Sequence, residues 1–473
     1  MDNRGPPPAA GTAGPVRAIC RRHQMTSDTT LLSRIDHIVV LMLENRSLDN
    51  MLGFLYTDQG NRSPSGQSFE GLSGTESNPG GNGGKVTVFR IDHTQPGAYF
   101  MPGSVPGEEY HRVNNQLFGT LQVSSPSPAA ANEGFVTDFG EIFPTRQGNS
   151  PNVTAGDIMG CFPPEALPVL SRLAQGYAVC DHWYCSVPTQ TLPNRAFALA
   201  GTSLGLVSDK ACTAQAKANK VMFDTPSIFG RLSDKNIDWR IYGYNLQPLT
   251  RANFPDTQQA GPQHFGRFMD FKNDAAGGSL PAFAFLEPAW KHDGNSQHPN
   301  DDVSSGEQLI LDVYNALRTG PGWTKTLLVI TYDEHGGCYD HVPPPAGATP
   351  PDHSAGEAGF DFTRFGVRVP AVLISPLIDH GTVFRVPAGS VPLDHTSVLK
   401  SIQQRWGVAP LTARDAAAPG IGGVLTLDKP RDDNPLEGVI APVAKGDNPA
   451  RAVTSHLERV YSNLVAEALL PGD

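Results

Sequence analysis

Five short apolar runs constrain this chain more than any other feature: IDHIVVLML (35–43), YAVCDHWYCSV (177–187), PAFAFLEP (281–288), TLLVITY (326–332) and VPAVLISPL (369–377). Near-continuous Val/Ile/Leu runs of this length suit strands buried on both faces of a parallel sheet. Helix-period segments alternate with them: FPPEALPVLSRLAQG, PSIFGRLSDKN, SGEQLILDVYNALRTG and DHTSVLKSIQQRWG. Strand–helix alternation predicts an α/β fold with a large, mostly parallel central sheet flanked by helices. With 49 Gly and 42 Pro in 473 residues, long structured loops are expected between the elements. The Gly/Ser/Asn-rich stretch 60–90 and the Pro-rich stretch 341–365 are the longest of these. The Pro/Gly/Ala-rich residues 1–33 read as a flexible arm, and 34–473 as a single domain with loop insertions. A final helix is expected in VTSHLERVYSNLVAEALL.

Charge and composition exclude some classes of partner. The formal net charge of −11 and the lack of any basic run argue against a nucleic-acid partner. No stretch approaches the roughly 20 apolar residues that span a bilayer. Arg21-Arg22 are followed by His, Gln, Met and Thr rather than an apolar segment, so no export signal is recognisable. The six cysteines show no CxxC spacing. Cys180 and Cys185 are close enough in sequence to pair, although buried free thiols are the simpler reading.

Two of the apolar runs end in oxygen ligands. IVVLML leads into Glu44-Asn45, and LLVITY into Asp333-Glu334. Ligands of open α/β sheets bind outside the carboxyl ends of the strands. Three carboxylates and an amide oxygen meeting there would repel one another unless a cation lay between them. Solvated turn residues or helix caps would give the same pattern. In SVPTQTLPNRAFALAGTS (186–203), Thr191 is expected as the N-cap of a helix with Pro193 in its first turn. A hydroxyl there faces unpaired N–H groups and the positive end of the helix dipole, which is a natural anion site. Beside a divalent cation, Thr191 becomes a candidate nucleophile, with Asn194 and Arg195 as donors to phosphate oxygens. The alternative is an ordinary cap with Arg195 in a structural ion pair. Thr189 is the weaker nucleophile candidate. Histidines gather near these blocks: His335 and His341 in DEHGGCYDHVPPP, His292 and His298 in KHDGNSQHPNDDV, His111 in EYHRVNNQLFG, and His395 in LDHTSVLK. An imidazole beside a phosphoryl group can donate to its oxygens or protonate a leaving alkoxide; any one of them is otherwise structural.

At these residues the chain resembles the bacterial and plant phosphoesterases that include non-specific phospholipases C and AcpA-like acid phosphatases. The matching blocks are HIVVLMLENRSLDNMLG (37–53), CDHWYCSVPTQTLPNRAFALAGTS (180–203), HPNDDVSSGEQLILDVYNAL (298–317), ITYDEHGGCYDHVPPP (330–345), and VRVPAVLISPL with DHTSVLKSIQQRWG (367–407). The resemblance implies an alkaline-phosphatase-like α/β sandwich. It implies one divalent metal ion, as calcium, magnesium, manganese, zinc or iron, held by Glu44, Asn45, Thr191, Asp333 and Glu334. Thr191 would be the nucleophile, His111 and His298 would contact the phosphate, and His264 in QHFGRFMDF would be a third such contact. Leu48, Asn50, Thr189-Gln190 and Cys338 depart from the family pattern, which touches pocket shape rather than any proposed ligand.

The expected activity is hydrolysis of a phosphate ester through a phosphothreonine, with His298 protonating the leaving oxygen. A glycerophospholipid is the favoured substrate, with at most peripheral membrane contact, and a broad acid phosphatase acting on soluble monoesters is the alternative. A non-catalytic phosphate- or metal-binding relative is a reading of another class. A serine hydrolase is disfavoured because no GxSxG elbow stands between a strand and a helix.

Overall fold

The computed structural model describes residues 27–467 apart from 82, 245–246, 291–293, 300 and 447–455. His292, Cys20 and most of the expected N-terminal arm lie outside the described residues. The end of that arm is helical: α1 (Asp28–Leu32) is capped by Ser27 and buries Leu32.

The centre is one eight-stranded sheet. Its strands in chain order are β1 (His37–Leu43), β2 (Ala178–Val179), β3 (Trp239–Gly243), β4 (Phe265–Arg267), β5 (Phe283–Leu286), β6 (Thr326–Tyr332), β7 (Ala371–Ile374) and β8 (Thr382–Val383). They lie side by side as β8-β2-β7-β6-β1-β5-β3-β4. All pairings are parallel except those of β7, which runs antiparallel to both β6 and β2. The two central strands, β1 and β6, are buried along almost their whole length. Since alternate side chains point to opposite faces, both faces of the sheet are covered. The main apolar core runs through these strands into the helices packed on them.

The apolar runs therefore became strands, with two differences. The run 177–187 is split, and its second half, Trp183–Tyr184, pairs outside the main sheet with Leu393–Asp394. β3 and β4 arise from stretches that carry no long apolar run. The helices that matter for the site are α2 (Leu48–Leu52), α3 (Tyr110–Phe118), α4 (Thr191–Ala200), α5 (Val303–Thr319), α6 (Thr396–Trp406) and α7 (His456–Ala466). No helix among the described residues is long and apolar enough to cross a membrane. Cys161, Cys180, Cys185, Cys212 and Cys338 are buried free thiols, so Cys180 and Cys185 are not paired.

Candidate active site at the carboxyl edge of the sheet

Register creates the site. β1 and β6 are parallel neighbours with Leu43 opposite Tyr332, so Glu44-Asn45 and Asp333-Glu334 leave the sheet side by side. The chain turns at once through Asn45, whose φ of 57° lies in the left-handed region that Asn tolerates better than most residues. That turn brings the Asn45 backbone N–H to Asp333 Oδ1 at 3.0 Å. The same oxygen accepts the Glu334 N–H at 2.8 Å. Gly336, with φ of 62°, packs so closely that a Cβ there would lie 2.1 Å from the Asn45 carbonyl oxygen. Only glycine fits both demands.

Thr191 reaches the same point from the other side. It is the first residue of α4, and Gln190, not Thr191, is the N-cap. Its hydroxyl donates to Asn45 Oδ1 at 3.2 Å. Thr189, by contrast, uses its hydroxyl on the Val207 carbonyl. Two side chains hold the turn: Asp209 Oδ1 accepts the Leu192 N–H at 2.8 Å, and the Asn194 amide donates to the carbonyls of Val187, Thr189 and Gln190. The Asn194 oxygen in turn accepts the Val187 N–H. Asn194 is thus spent on bracing the Thr191 turn and differs from the phosphate donor expected from sequence.

Arg195 also differs. Its Nε donates to Asp333 Oδ2 at 2.9 Å and its Nη2 to the carbonyls of Met42 and Leu43. Its guanidinium lies over the Trp290 ring, 4.6 Å from the centroid. The residue is a buried strut that ties α4 to the ends of β1 and β6, which is the structural ion pair that sequence left open.

One carboxylate at the site carried no sequence signal. Glu108, just before α3, accepts from Asn45 Nδ2 at 2.6 Å and from Gln190 Nε2 at 3.2 Å. A carboxylate can only accept, so the Asn45 NH₂ must face it, which turns the Asn45 oxygen toward Thr191. Four carboxylates, Glu44, Glu108, Asp333 and Glu334, are thereby buried close enough to perturb one another. Burial, then the charge of Asp333, pushes Glu44 up to about 8, against the pull of Arg195 and a hydrogen bond from Ser296. Burial, then Glu108 and Asp333, raises Glu334 well above the carboxylate range. Glu334 Oε2 accepts the Gly336 N–H at 2.7 Å, whereas its buried Oε1 has no hydrogen-bond partner among the described residues. Mutual repulsion, an orphaned carboxylate oxygen and an all-oxygen donor set fit a hard divalent cation.

A second acidic group is tighter. Potential ligand atoms of Asp49, Asp340 and His341 lie within 4.8 Å of one another. The Arg368 guanidinium, however, donates to Asp49 Oδ1 and Asp340 Oδ1, both at 2.9 Å. The place of a cation in that group is therefore already taken by a side chain. The chain carries side chains that could hold a metal ion.

The histidines divide sharply. His298 Nδ1 is bonded to the Pro299 carbonyl at 2.8 Å, and its Nε2 lies 4.0 Å from Glu108 Oε2. That Nε2 has no hydrogen-bond partner among the described residues. His298 and the exposed His111 line a cavity of about 1030 Å³ whose wall also includes Glu108, Gln190 and Asp209. The other candidates do not line that cavity. His264 stacks on Trp239, the first residue of β3, at 4.0 Å, which puts it at the opposite edge of the sheet. His341 pairs with Asp49 at 2.6 Å. His335 is fully buried, bonded to Gln116 at 2.8 Å and pushed down to about 3 by burial, so it is a neutral internal residue. His395 is buried against the Asp333 carbonyl at 2.6 Å.

A family model described as Phosphoesterase family matches residues 35–409, the span that contains every residue of this edge. The chain belongs to that family. Non-specific phospholipase C6 of Arabidopsis thaliana is 35% identical over 457 residues, covering 93% of this chain and 82% of its own. Phospholipase C A of Mycobacterium tuberculosis is 29% identical over 438 residues, covering 84% and 77%. A solved structure described as a protein in the alkaline phosphatase superfamily from Vibrio parahaemolyticus overlaps partially, with a TM-score of 0.33 and 11% identity over 65% of this chain and 81% of its own. This phosphoesterase is a hydrolase acting on phosphate ester bonds.

Proposed function

We propose that the chain is a phospholipase C that cleaves glycerophospholipids through a phosphothreonine on Thr191. The carrying observation is the Thr191 hydroxyl on Asn45, whose backbone bonds Asp333 and whose side chain bonds Glu108, a wall of the cavity that His298 also lines. Glu44, Asn45, Asp333 and Glu334, with the Thr191 oxygen, are the residues that would hold a divalent cation. Such a cation would lower the hydroxyl pKa of Thr191 and offset phosphoryl charge.

The chain's own residues supply the rest. In the first step the Thr191 oxygen bonds to phosphorus and the bond from phosphorus to the glycerol oxygen breaks. The Thr191 proton is lost to the carboxylate cluster, and His298 gives one to the departing alkoxide. In the second step water attacks phosphorus, His298 takes the water's proton, and the bond to Thr191 breaks as the carboxylate cluster returns a proton to the Thr191 oxygen. The positive end of the α4 dipole, at Thr191, favours the charge of the phosphoryl oxygens. The lipid substrate is favoured by the names of the relatives and by a cavity larger than a small monoester needs.

Rapid quenching with headgroup-phosphate-labelled phosphatidylcholine tests the scheme. Label should appear on a peptide containing Thr191 and be lost from Thr191→Ala together with turnover. Failure to label any peptide during turnover sinks the covalent route. Faster turnover of an aryl phosphate monoester than of phosphatidylcholine vesicles would move the reading to an acid phosphatase.

A further inference from the structure

Gln190 stands directly before Thr191, and its side chain closes a ring of hydrogen bonds that begins and ends at Thr191. We propose that Gln190 is a positioning residue that fixes the Thr191 hydroxyl on Asn45; this rests on Thr191 being the nucleophile of the function proposed above.

The ring can be followed bond by bond. The Thr191 hydroxyl donates to Asn45 Oδ1 at 3.2 Å, and Asn45 Nδ2 donates to Glu108 Oε2 at 2.6 Å. The other oxygen of Glu108 accepts from Gln190 Nε2 at 3.2 Å. Gln190 Oε1 accepts the Asp209 N–H at 3.2 Å, and Asp209 Oδ1 accepts the Leu192 N–H at 2.8 Å. Leu192 is peptide-bonded to Thr191, so the path returns to its start. Glu108, Gln190, Thr191 and Asp209 are all buried.

Chemistry dictates the residue type at the closing position. A carboxylate only accepts and a backbone N–H only donates, so the group between Glu108 and Asp209 must do both. An amide does so in one orientation, with its NH₂ on Glu108 and its oxygen on the Asp209 N–H. An N-cap side chain ordinarily accepts from the first turn of its own helix. That of Gln190 makes no such bond, and the Leu192 N–H in that turn is held by Asp209 instead. The Gln190 side chain is thereby released to tie Asp209 to Glu108. One amide thus acts on Thr191 twice: through Glu108 and Asn45 it sets the acceptor of the hydroxyl, and through Asp209 it sets the start of the helix that carries it. Buried hydrogen bonds linked in this way reinforce one another.

The test asks whether the ring acts as a unit. Gln190→Met keeps the length of the side chain and removes both of its hydrogen bonds, and Asp209→Ala removes the carboxylate that holds Leu192. Turnover of phosphatidylcholine vesicles is compared for the wild type, both single variants, the double variant and Thr191→Ala. Both ends of the Gln190 amide are committed within the ring, so its loss should act on the reacting hydroxyl rather than on substrate affinity. We expect each single variant to lower kcat about 10-fold or more with KM within two-fold of the wild type. The double variant should be no worse than the poorer single one, because a ring already open loses nothing by a second cut. Losses that multiply in the double variant, a loss carried by KM, or a Gln190→Met kcat within two-fold of the wild type each overturn the assignment. Should Gln190→Met not fold by circular dichroism, Gln190→Glu carries the same comparison, since it keeps the acceptor for Asp209 but turns a second anion on Glu108. A Thr191→Ala enzyme with wild-type turnover overturns the nucleophile and the ring together, whereas multiplying losses beside an inactive Thr191→Ala overturn the ring alone.

Discussion

The hydroxyl of Thr191 donates to the amide oxygen of Asn45 across 3.2 Å, although 146 residues of chain separate them. The orientation of that amide is imposed from behind by Glu108, 2.6 Å from the Asn45 NH₂. Asn45→Asp keeps the left-handed backbone, which Asp also tolerates, but replaces the NH₂ with an anion facing another anion. The side chain must then swing away from Glu108 and leave Thr191 without its acceptor. We expect kcat to fall about 100-fold, the scale of a displacement near 1 Å at a reacting atom. Unchanged kcat on phosphatidylcholine in Asn45→Asp would show that this contact does not orient the nucleophile.

A second prediction separates leaving-group chemistry from phosphate binding. If His298 protonates the departing alkoxide, its removal should matter in proportion to how poor the leaving group is. For His298→Ala, kcat should drop roughly 10²–10⁴-fold with a diacylglycerol leaving group. With p-nitrophenol, which departs as a stable anion, release in the first turnover should slow several-fold only, since His298 is then needed only to activate water in the second step. Equal losses on both substrates would assign His298 to binding the phosphoryl oxygens.

Some of this site was legible in the chain and some was not, for identifiable reasons. Glu44-Asn45 and Asp333-Glu334 stand out because long apolar runs stop abruptly at them, and buried parallel strands make such runs. Thr191 was legible from the polar turn and Pro193 that open α4. Glu108 was invisible because no strand precedes it; loop packing alone places it against Asn45. His264 was expected from the resemblance alone; it precedes β4 and therefore falls at the far edge of the sheet, on Trp239. Arg195 and Asn194 were read as donors to a ligand because residue type does not reveal which way a buried side chain turns. The antiparallel direction of β7 is likewise not written in VPAVLISPL, since an apolar run has no polarity.

Glu307, on α5, offers a test of electrostatics away from the chemistry. Its carboxylate accepts the N–H groups of Val169 and Leu170 at 2.7 and 3.0 Å, which favours the ionised form. Burial outweighs them and pushes the group up to about 8 from its ordinary 4.5. A folded-state pKa above the unfolded value means that the folded protein holds the proton more tightly. The corresponding stability is full below about pH 4.5 and is lost as pH rises toward about 8. Glu307→Gln cannot ionise, so its urea midpoint relative to wild type should improve between pH 5 and pH 8. A shift in the opposite direction would mean that the two N–H groups, not burial, set the ionisation.

The remaining prediction concerns Arg368, which lies between Asp49 and Asp340 with all three side chains inaccessible to solvent. Asp340 is raised to about 6 by burial despite the guanidinium beside it. Arg368→Met keeps much of the side-chain volume but leaves two buried carboxylates without their cation. Breaking a buried pair in this way costs about 3–5 kcal/mol, measurable as a lowered urea midpoint. The loss should shrink in the triple variant Arg368→Met/Asp49→Asn/Asp340→Asn, where no charge is stranded. The geometry adds a sharper consequence. Asp49, Asp340 and His341 bring ligand atoms within 4.8 Å of one another, so in Arg368→Met they form a vacated cation site. Millimolar Mn²⁺ should then raise the midpoint of Arg368→Met more than that of the wild type, and the triple variant should not share the extra gain. If Mn²⁺ raises the wild-type and Arg368→Met midpoints equally, the guanidinium is not what keeps a metal ion out of this cluster.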